Sequence, residues 1–471
     1  MSSEARMNKT SYIKRFSYAA SDTAGQLVFC VISFYILKFY TDVYGIPVAI
    51  AGTILLFARF TDALDAPIWG IVFDKTRSRW GKSRPWFLWL CFPFAAFGVL
   101  TFLTPQLGNS VKTFVVPFTS LHINYTNNAL YAAVTYIVCS VLYTGINTPV
   151  TSILSALTPD PRERVTLTCF RMFGSKLGVL FVNLTAMKLV QFFGQGDDRK
   201  GFMIVMPFYA TGTVLLYLFA FRNLEEVVHE KKQSLPLADS FRAIKRNWPW
   251  IIIFVSSLMF WIAFIARVSV APYFFEYTLG RKDLVPTAFA LDFISLVTAF
   301  GLPFFCRWTS KRNVWIFGLL GMVIGQLIEY FGIQNNLSVP WIMFGWAFGF
   351  LASGMAMAMP FSVLSDSVDY GEWKTGIRAA GFLTAIGAAF CLKAGAGLGG
   401  ALPAWIMDAH GYVANVSQTA ASLHGIEIAF IWLPALGFGL AILPVLFYKK
   451  YELLEPRIHA ELDARRAQVS K

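Results

Sequence analysis

Stretches of about 20 residues with almost no charge recur along this chain from end to end, and no other feature restricts its fold so strongly. A helix rising 1.5 Å per residue needs about 20 residues to cross ~30 Å of hydrocarbon, so each stretch reads as a membrane span. Composition agrees: 56% of the 471 residues are hydrophobic, 45 are Phe and only 14% are charged, outside the range of soluble domains. The expected class is an all-α membrane protein.

Twelve spans are expected, at about 22–44, 50–73, 85–104, 129–157, 167–193, 202–221, 250–277, 284–305, 313–333, 338–365, 379–408 and 424–448. The basic N-terminal segment is followed by no small-residue cleavage site, so the first apolar stretch reads as a retained helix. The most polar interior segment begins after Phe221. It divides the chain into an N-terminal six-helix bundle (1–221), a middle loop (222–249), a second six-helix bundle (250–448) and a tail (449–471). Two six-helix halves around a cavity are a transporter pattern. A faint internal echo agrees, "TPVTSILS" near the end of the fourth span resembling "MPFSVLS" near the end of the tenth.

Loop charge sets the expected orientation. "DKTRSRWGKSR", the 222–249 loop and the tail are basic, whereas 45–49, 334–337 and 409–423 carry no Lys or Arg. Basic loops stay on the cytoplasmic side, which puts both termini there and Lys112 outside. The net charge of +13 is then accounted for by inner loops against anionic lipid, with no call for nucleic acid. The six cysteines are scattered without metal-type spacing, so neither disulfide nor metal is expected. No phosphate-binding loop, HExxH or catalytic Ser or Cys setting occurs, and no cofactor other than a coupling cation is implied. The expectation is a multi-pass protein of a bacterial inner membrane, not an enzyme, monomeric in the bilayer, moving a small solute.

Ionisable residues inside spans point to the site. Each costs roughly 2.5 to 3.5 kcal/mol at a helix centre facing lipid, so it must face a cavity or a partner. Those singled out are Asp22 and Lys38 in the first span, Arg59, Asp62 and Asp65 in the second, Arg171 in the fifth, Arg267 in the seventh and Lys393 in the eleventh. Lys38, near a span end, is expected to snorkel. At 100° per residue Arg59, Asp62 and Asp65 fall within a sector of about 120°. Such a face is either an Arg–Asp pair fixing helix packing or a carboxylate site for a coupling cation. Pro67 would free a backbone carbonyl beside it.

"FYTDVYG", "ARFTDALDAPIWG", "TRSRWGKSRPW", "DPRER" and "SDSVDYGEWKTGIR" resemble the glycoside-pentoside-hexuronide:cation symporter family over essentially the whole chain. The resemblance implies the major facilitator fold and sugar uptake coupled to sodium, lithium or protons. By the same resemblance Arg59, Asp62 and Thr144 match the family's cation site. Its Asn position is Asp65 here and its second Asp position is Ala66, a turn of about 100° for the carboxylate. Protons rather than sodium are therefore expected.

The family's two acidic sugar ligands correspond to Gln26 and Asn147, and its stacking Trp to Thr151. Its basic sugar contacts match Arg171 and Lys393. With Arg267 added and two carboxylates absent, the expected substrate is an anionic sugar, a hexuronide or a sulfonated sugar such as sulfoquinovose, since Arg holds such anions by two parallel bonds. Should Arg267 instead pair with Asp22 or Glu276, a neutral glycoside or pentoside becomes the substrate, with sodium coupling or as uncoupled facilitation. Tyr143 is a candidate cavity aromatic. Asp74, Arg77 and Arg79 after the second span, and Asp366, Asp369 and Arg378 after the tenth, are expected to make gating contacts.

Overall fold

The computed structural model describes residues 11–76, 78–108, 112–115, 122–158, 161–226, 247–376, 383, 387 and 390–469. Helices dominate. They are α1 (Tyr12–Lys38, extended by a π-helical turn Phe39–Val43), α2 (Val48–Lys75), α3 (Arg84–Thr101), α4 (Asn127–Leu157), α5 (Pro161–Gly194) and α6 (Asp198–Asn223). There follow α7 (Trp248–Tyr273, with a π-helical turn Phe274–Thr278), the short α8 (Val285–Ala290), α9 (Ser295–Trp308), α10 (Lys311–Gln334) and α11 (Val339–Thr375). The last are α12 (Cys391–Ala409), α13 (Ala420–Glu427), α14 (Leu433–Leu446) and α15 (Lys449–Val469).

Among the described residues ten helices are long and apolar enough to cross a membrane. Helices α2 and α12 occupy the second and eleventh of the twelve expected spans without reaching that standard; α2 falls short because Arg59, Asp62 and Asp65 sit in its middle.

Short polar residues start the helices where the chain turns. Ser11, Thr126, Asn247, Ser310 and Thr419 each accept a backbone N–H three residues on, and Asp197 accepts those of Arg199 and Lys200. Each satisfies a donor that has no partner within its helix. Gly376, at φ +72°, ends α11 in the left-handed region. The Ser11 cap starts α1 ten residues before the expected span. Two other segments also differ from the sequence reading. A β-hairpin, Lys112–Val115 paired antiparallel with His122–Tyr125, lies in the loop between α3 and α4. The expected tail is the helix α15, fixed by acids that reach back to α10 and α11: Glu455 binds Lys311, Glu452 accepts the Arg312 N–H, and Glu461 accepts from the Trp373 indole.

The chain divides into two compact units: Met1–Lys231 with Asp283–Ala290 and Val413–Ser417, and Lys232–Lys282 with Leu291–Tyr412 and Gln418–Lys471. Small residues set the closest helix approaches within each. In the first unit a Cβ at Gly174 would lie 2.7 Å from the Ala19 carbonyl oxygen and one at Gly178 3.2 Å from the Thr23 carbonyl, so α5 rests backbone-close on α1. In the second, Gly325 of α10 faces Gly345 and Gly349 of α11 in the same way. Apolar side chains gain little from meeting in lipid, so such approaches carry much of the packing.

Candidate functional site

In the first unit the α1–α5 approach brings two expected residues together. Gly174 admits the Ala19 carbonyl, Thr23 donates to the Gly174 carbonyl at 2.8 Å, and one turn away Arg171 Nε reaches Asp22 Oδ2 at 3.2 Å. Arg171 keeps 26% of its side chain exposed and Asp22 11%. Gln26, one turn further along α1, and Asn147 on α4 are half-buried. Gln26 accepts a weak bond from the Cys30 thiol. Tyr143 stacks on Phe29 at 4.4 Å between ring centres. Thr151 is exposed, its hydroxyl bonded to the Thr148 carbonyl of its own helix.

A second cluster is built where α2 meets α4. Gly145 leaves room for Trp69, whose indole N–H donates to the Val141 carbonyl at 3.0 Å. That contact fixes the register that places Ser140 beside Asp62. Asp62 Oδ2 accepts from Arg59 Nη1 and from Ser140 Oγ, both at 2.8 Å, and Asp62 is 1% exposed. Arg59 lies 6.0 Å from the ring centres of both Phe29 and Tyr136. Thr144, also buried, bonds back to the Ser140 carbonyl. Asp65, 7% exposed, contributes with Thr61, Ile68, Trp69, Val72, Ile137 and Val141 to the lining of an apolar hollow of about 360 Å3. The side chain of Pro67 lies outside the described residues.

In the second unit Arg267 departs from expectation. It faces no open cavity: it is 1% exposed, and Nη2 binds Glu329 Oε1 at 2.5 Å and the Trp346 carbonyl at 3.2 Å. Glu329, itself fully buried, takes a second bond from Gln326 at 3.0 Å. The guanidinium lies 4.1 Å from the Trp346 ring centre and 5.3 Å from that of Phe350. The partner is neither Asp22 nor Glu276 but a carboxylate that the survey of span charges passed over. The same reasoning applied to Glu329, the one acidic residue of α10, would have found it. Lys393 is half-buried on α12.

Lys38 does not snorkel. It is 7% exposed and binds Asp42 at 3.1 Å, because the π-helical turn carries Asp42 back over it. Of the gating set, Asp366 is held inside the second unit by Lys311 at 2.9 Å and Tyr448 at 2.6 Å. Asp369 is half-buried, and Arg79 is exposed with its guanidinium over Trp80. Arg77, Arg378 and the side chain of Asp74 lie outside the described residues. Sequence reasoning also missed Glu226, whose carboxylate accepts the N–H groups of Lys82, Ser83 and Arg84 at 2.6 to 2.9 Å and so caps α3.

Comparison with known proteins follows the same lines. A family model described as MFS/sugar transport protein matches residues 17–450. The isoprimeverose transporter of Lactiplantibacillus pentosus is 39% identical over 98% of this chain and 93% of its own length. A putative sulfoquinovose importer of Escherichia coli K12 is 27% identical over 96% of this chain and 94% of its own. Among solved structures a D-xylose-proton symporter superposes with a TM-score of 0.64 at 18% identity, covering 94% of this chain and 98% of the other; at that identity the likeness is one of fold.

Proposed function

We infer, from the premise that this chain belongs to the MFS/sugar transport protein family and is a multi-pass membrane transporter of sugars, that it takes up a neutral glycoside together with protons. One observation carries the choice of substrate. Each arginine that could have held an anionic sugar already has a carboxylate, Asp22 for Arg171 and Glu329 for Arg267. A second anion at either would have to displace a bonded carboxylate, at Arg267 in a dry setting, a cost no neutral sugar meets. Arg171 with Asp22, Gln26 and Asn147 offers donors and acceptors of the kind hydroxyl groups use. In the second unit Lys393 is the proposed sugar contact. Isoprimeverose, named for the relative that is 39% identical, is the first glycoside to try.

Coupling is assigned to Asp62. Its carboxylate can take a proton, release Arg59 and Ser140, and recover them on losing it. The position that matches the family's second Asp is Ala66, which speaks against a paired-carboxylate cage for sodium. Both termini are proposed to be cytoplasmic, with position 79 on that side.

The test is a ligand panel on the purified protein, followed by uptake in vesicles. Isoprimeverose or another neutral glycoside should raise the melting temperature, and a glucuronide or sulfoquinovoside should not. Accumulation should collapse with a protonophore and ignore sodium at constant pH. Stabilisation by the charged sugars alone would return the anionic reading, and strong stimulation by sodium would remove the proton.

A further inference from the structure

Helix α7 is gripped on two sides, and both grips lead to Lys393. On one side α12 lies against it almost without side chains between: a Cβ at Gly399 would stand 2.6 Å from the Ile262 carbonyl oxygen, and one at Gly395 would collide with Trp261. Ser269 Oγ completes the contact by donating to the Gly399 carbonyl at 3.4 Å. Lys393 lies about 200° around α12 from Gly395. The seat of the glycine face on α7 therefore sets where Lys393 points. The other grip is the ion pair. Arg267 projects from α7 to Glu329 on α10 and to the Trp346 carbonyl on α11, so one side chain joins three helices. Gly349 makes the room, since a Cβ there would lie 2.7 Å from both Nη atoms.

We propose that Arg267 and Glu329 are a positioning pair for Lys393, fixing the rotation and register of α7 and, through its glycine contact with α12, the direction of the lysine. The pair acts as a neutral unit. Its charge contacts neither sugar nor proton, and what the cycle requires of it is the placement of α7. Among the described residues Arg267 Nε and Nη1 find no hydrogen-bond partner, so Nη2 alone carries the bonds to α10 and α11 while the Trp346 and Phe350 rings lie against the guanidinium. The inference rests on the proposed role of Lys393 as a sugar contact.

The experiment measures affinity for whichever glycoside stabilises the wild type, together with melting temperature, in four full-length variants. Gly349→Ala pushes the guanidinium without changing a charge and should weaken binding about tenfold, as loss of a well-placed charge-assisted contact would. Gly439→Ala, whose new methyl group meets nothing within 4 Å, should bind as wild type. The double variant Arg267→Met with Glu329→Leu removes both charges and keeps bulk, so it should stay folded, as buried pairs replaced by apolar residues often do, while losing about as much affinity as Gly349→Ala because the bonds to α10 and α11 are gone. Lys393→Ala should lose at least as much affinity as Gly349→Ala. A folded double variant that binds as wild type would overturn the proposal, because the pair would then not be what places Lys393. Wild-type binding by Gly349→Ala while Lys393→Ala is weak would overturn the positioning pair alone. Wild-type binding by Lys393→Ala would remove the sugar contact and the pair's purpose with it. Should the double variant fail to fold, the contrast of Gly349→Ala with Gly439→Ala still decides.

Discussion

Each unit holds an arginine bound to a carboxylate inside its helices, and the two pairs differ in how tightly they are sealed. In the first unit Arg59 keeps 11% of its side chain exposed and Asp62 2%, both on α2, with the Ser140 hydroxyl as a third partner. In the second, Arg267 and Glu329 are 1% and 0% exposed and sit on different helices, between aromatic rings. A pair on one helix can open without moving that helix. A pair that joins helices cannot. On the proposed reading the same chemistry serves proton loading in one place and the placement of helices in the other. Arg171 with Asp22, at 26% and 11%, is the most open of the three and the one assigned to sugar.

The largest effect should separate coupling from architecture. Asp62→Asn keeps the side-chain volume and the Ser140 contact but cannot hold a proton reversibly. Accumulation in vesicles should vanish, while exchange of labelled for unlabelled sugar persists. A variant that still concentrates sugar would show the two pairs to be alike, both structural.

Next is the sealed pair. Glu329→Leu strands a guanidinium in a dry core, and breaking one partner of a buried pair costs roughly 3 to 5 kcal/mol. The protein should melt well below Asp62→Asn, read by thermal unfolding in detergent. Equal melting temperatures for the two variants would remove the distinction.

How much of this was legible in the sequence follows from the range of each interaction. The spans show in local hydropathy, and the polar sector of α2 shows because Arg59 and Asp62 are three residues apart. The partner of Arg267 is 62 residues away on another helix. Hydropathy flags Glu329 as an odd residue in α10 but cannot say which of several carboxylates the arginine meets; that depends on α11 offering Gly345 and Gly349 where α10 and α7 converge. For the same reason α15 reads as a polar tail: what orders it are Glu452, Glu455 and Glu461 reaching residues 88 to 144 positions away. The capping of α3 by Glu226 across 142 positions is equally invisible along the chain.

A finer test of the comparison removes only the third partner. Ser140→Ala takes one hydrogen bond from the Asp62 carboxylate and leaves Arg59 in place. A bond to a charged group is worth roughly 1.5 to 3 kcal/mol, so the initial rate of coupled uptake should fall by about one decade or more while exchange persists. Unchanged coupled uptake would show that Ser140 merely fills space at the α2–α4 contact.

The smallest effect belongs to the most open pair. Arg171→Lys preserves the positive charge beside Asp22 but replaces a planar fork with a single ammonium. If the arginine's work is to present donors to sugar hydroxyls while Asp22 neutralises it, the loss is one neutral-type hydrogen bond, roughly 0.5 to 1.5 kcal/mol and so at most about a tenfold drop in affinity. Coupling and melting temperature should stay as in wild type, because Arg171 keeps its contact with water and joins no third helix. Isoprimeverose titration against wild type and Arg171→Lys measures the drop, and a charged sugar titrated in parallel gives the contrast. A loss of two decades or more, confined to the charged sugar, would mean that Asp22 yields its place to an anion. The open pair would then be the specificity element for an acidic substrate rather than a neutral one.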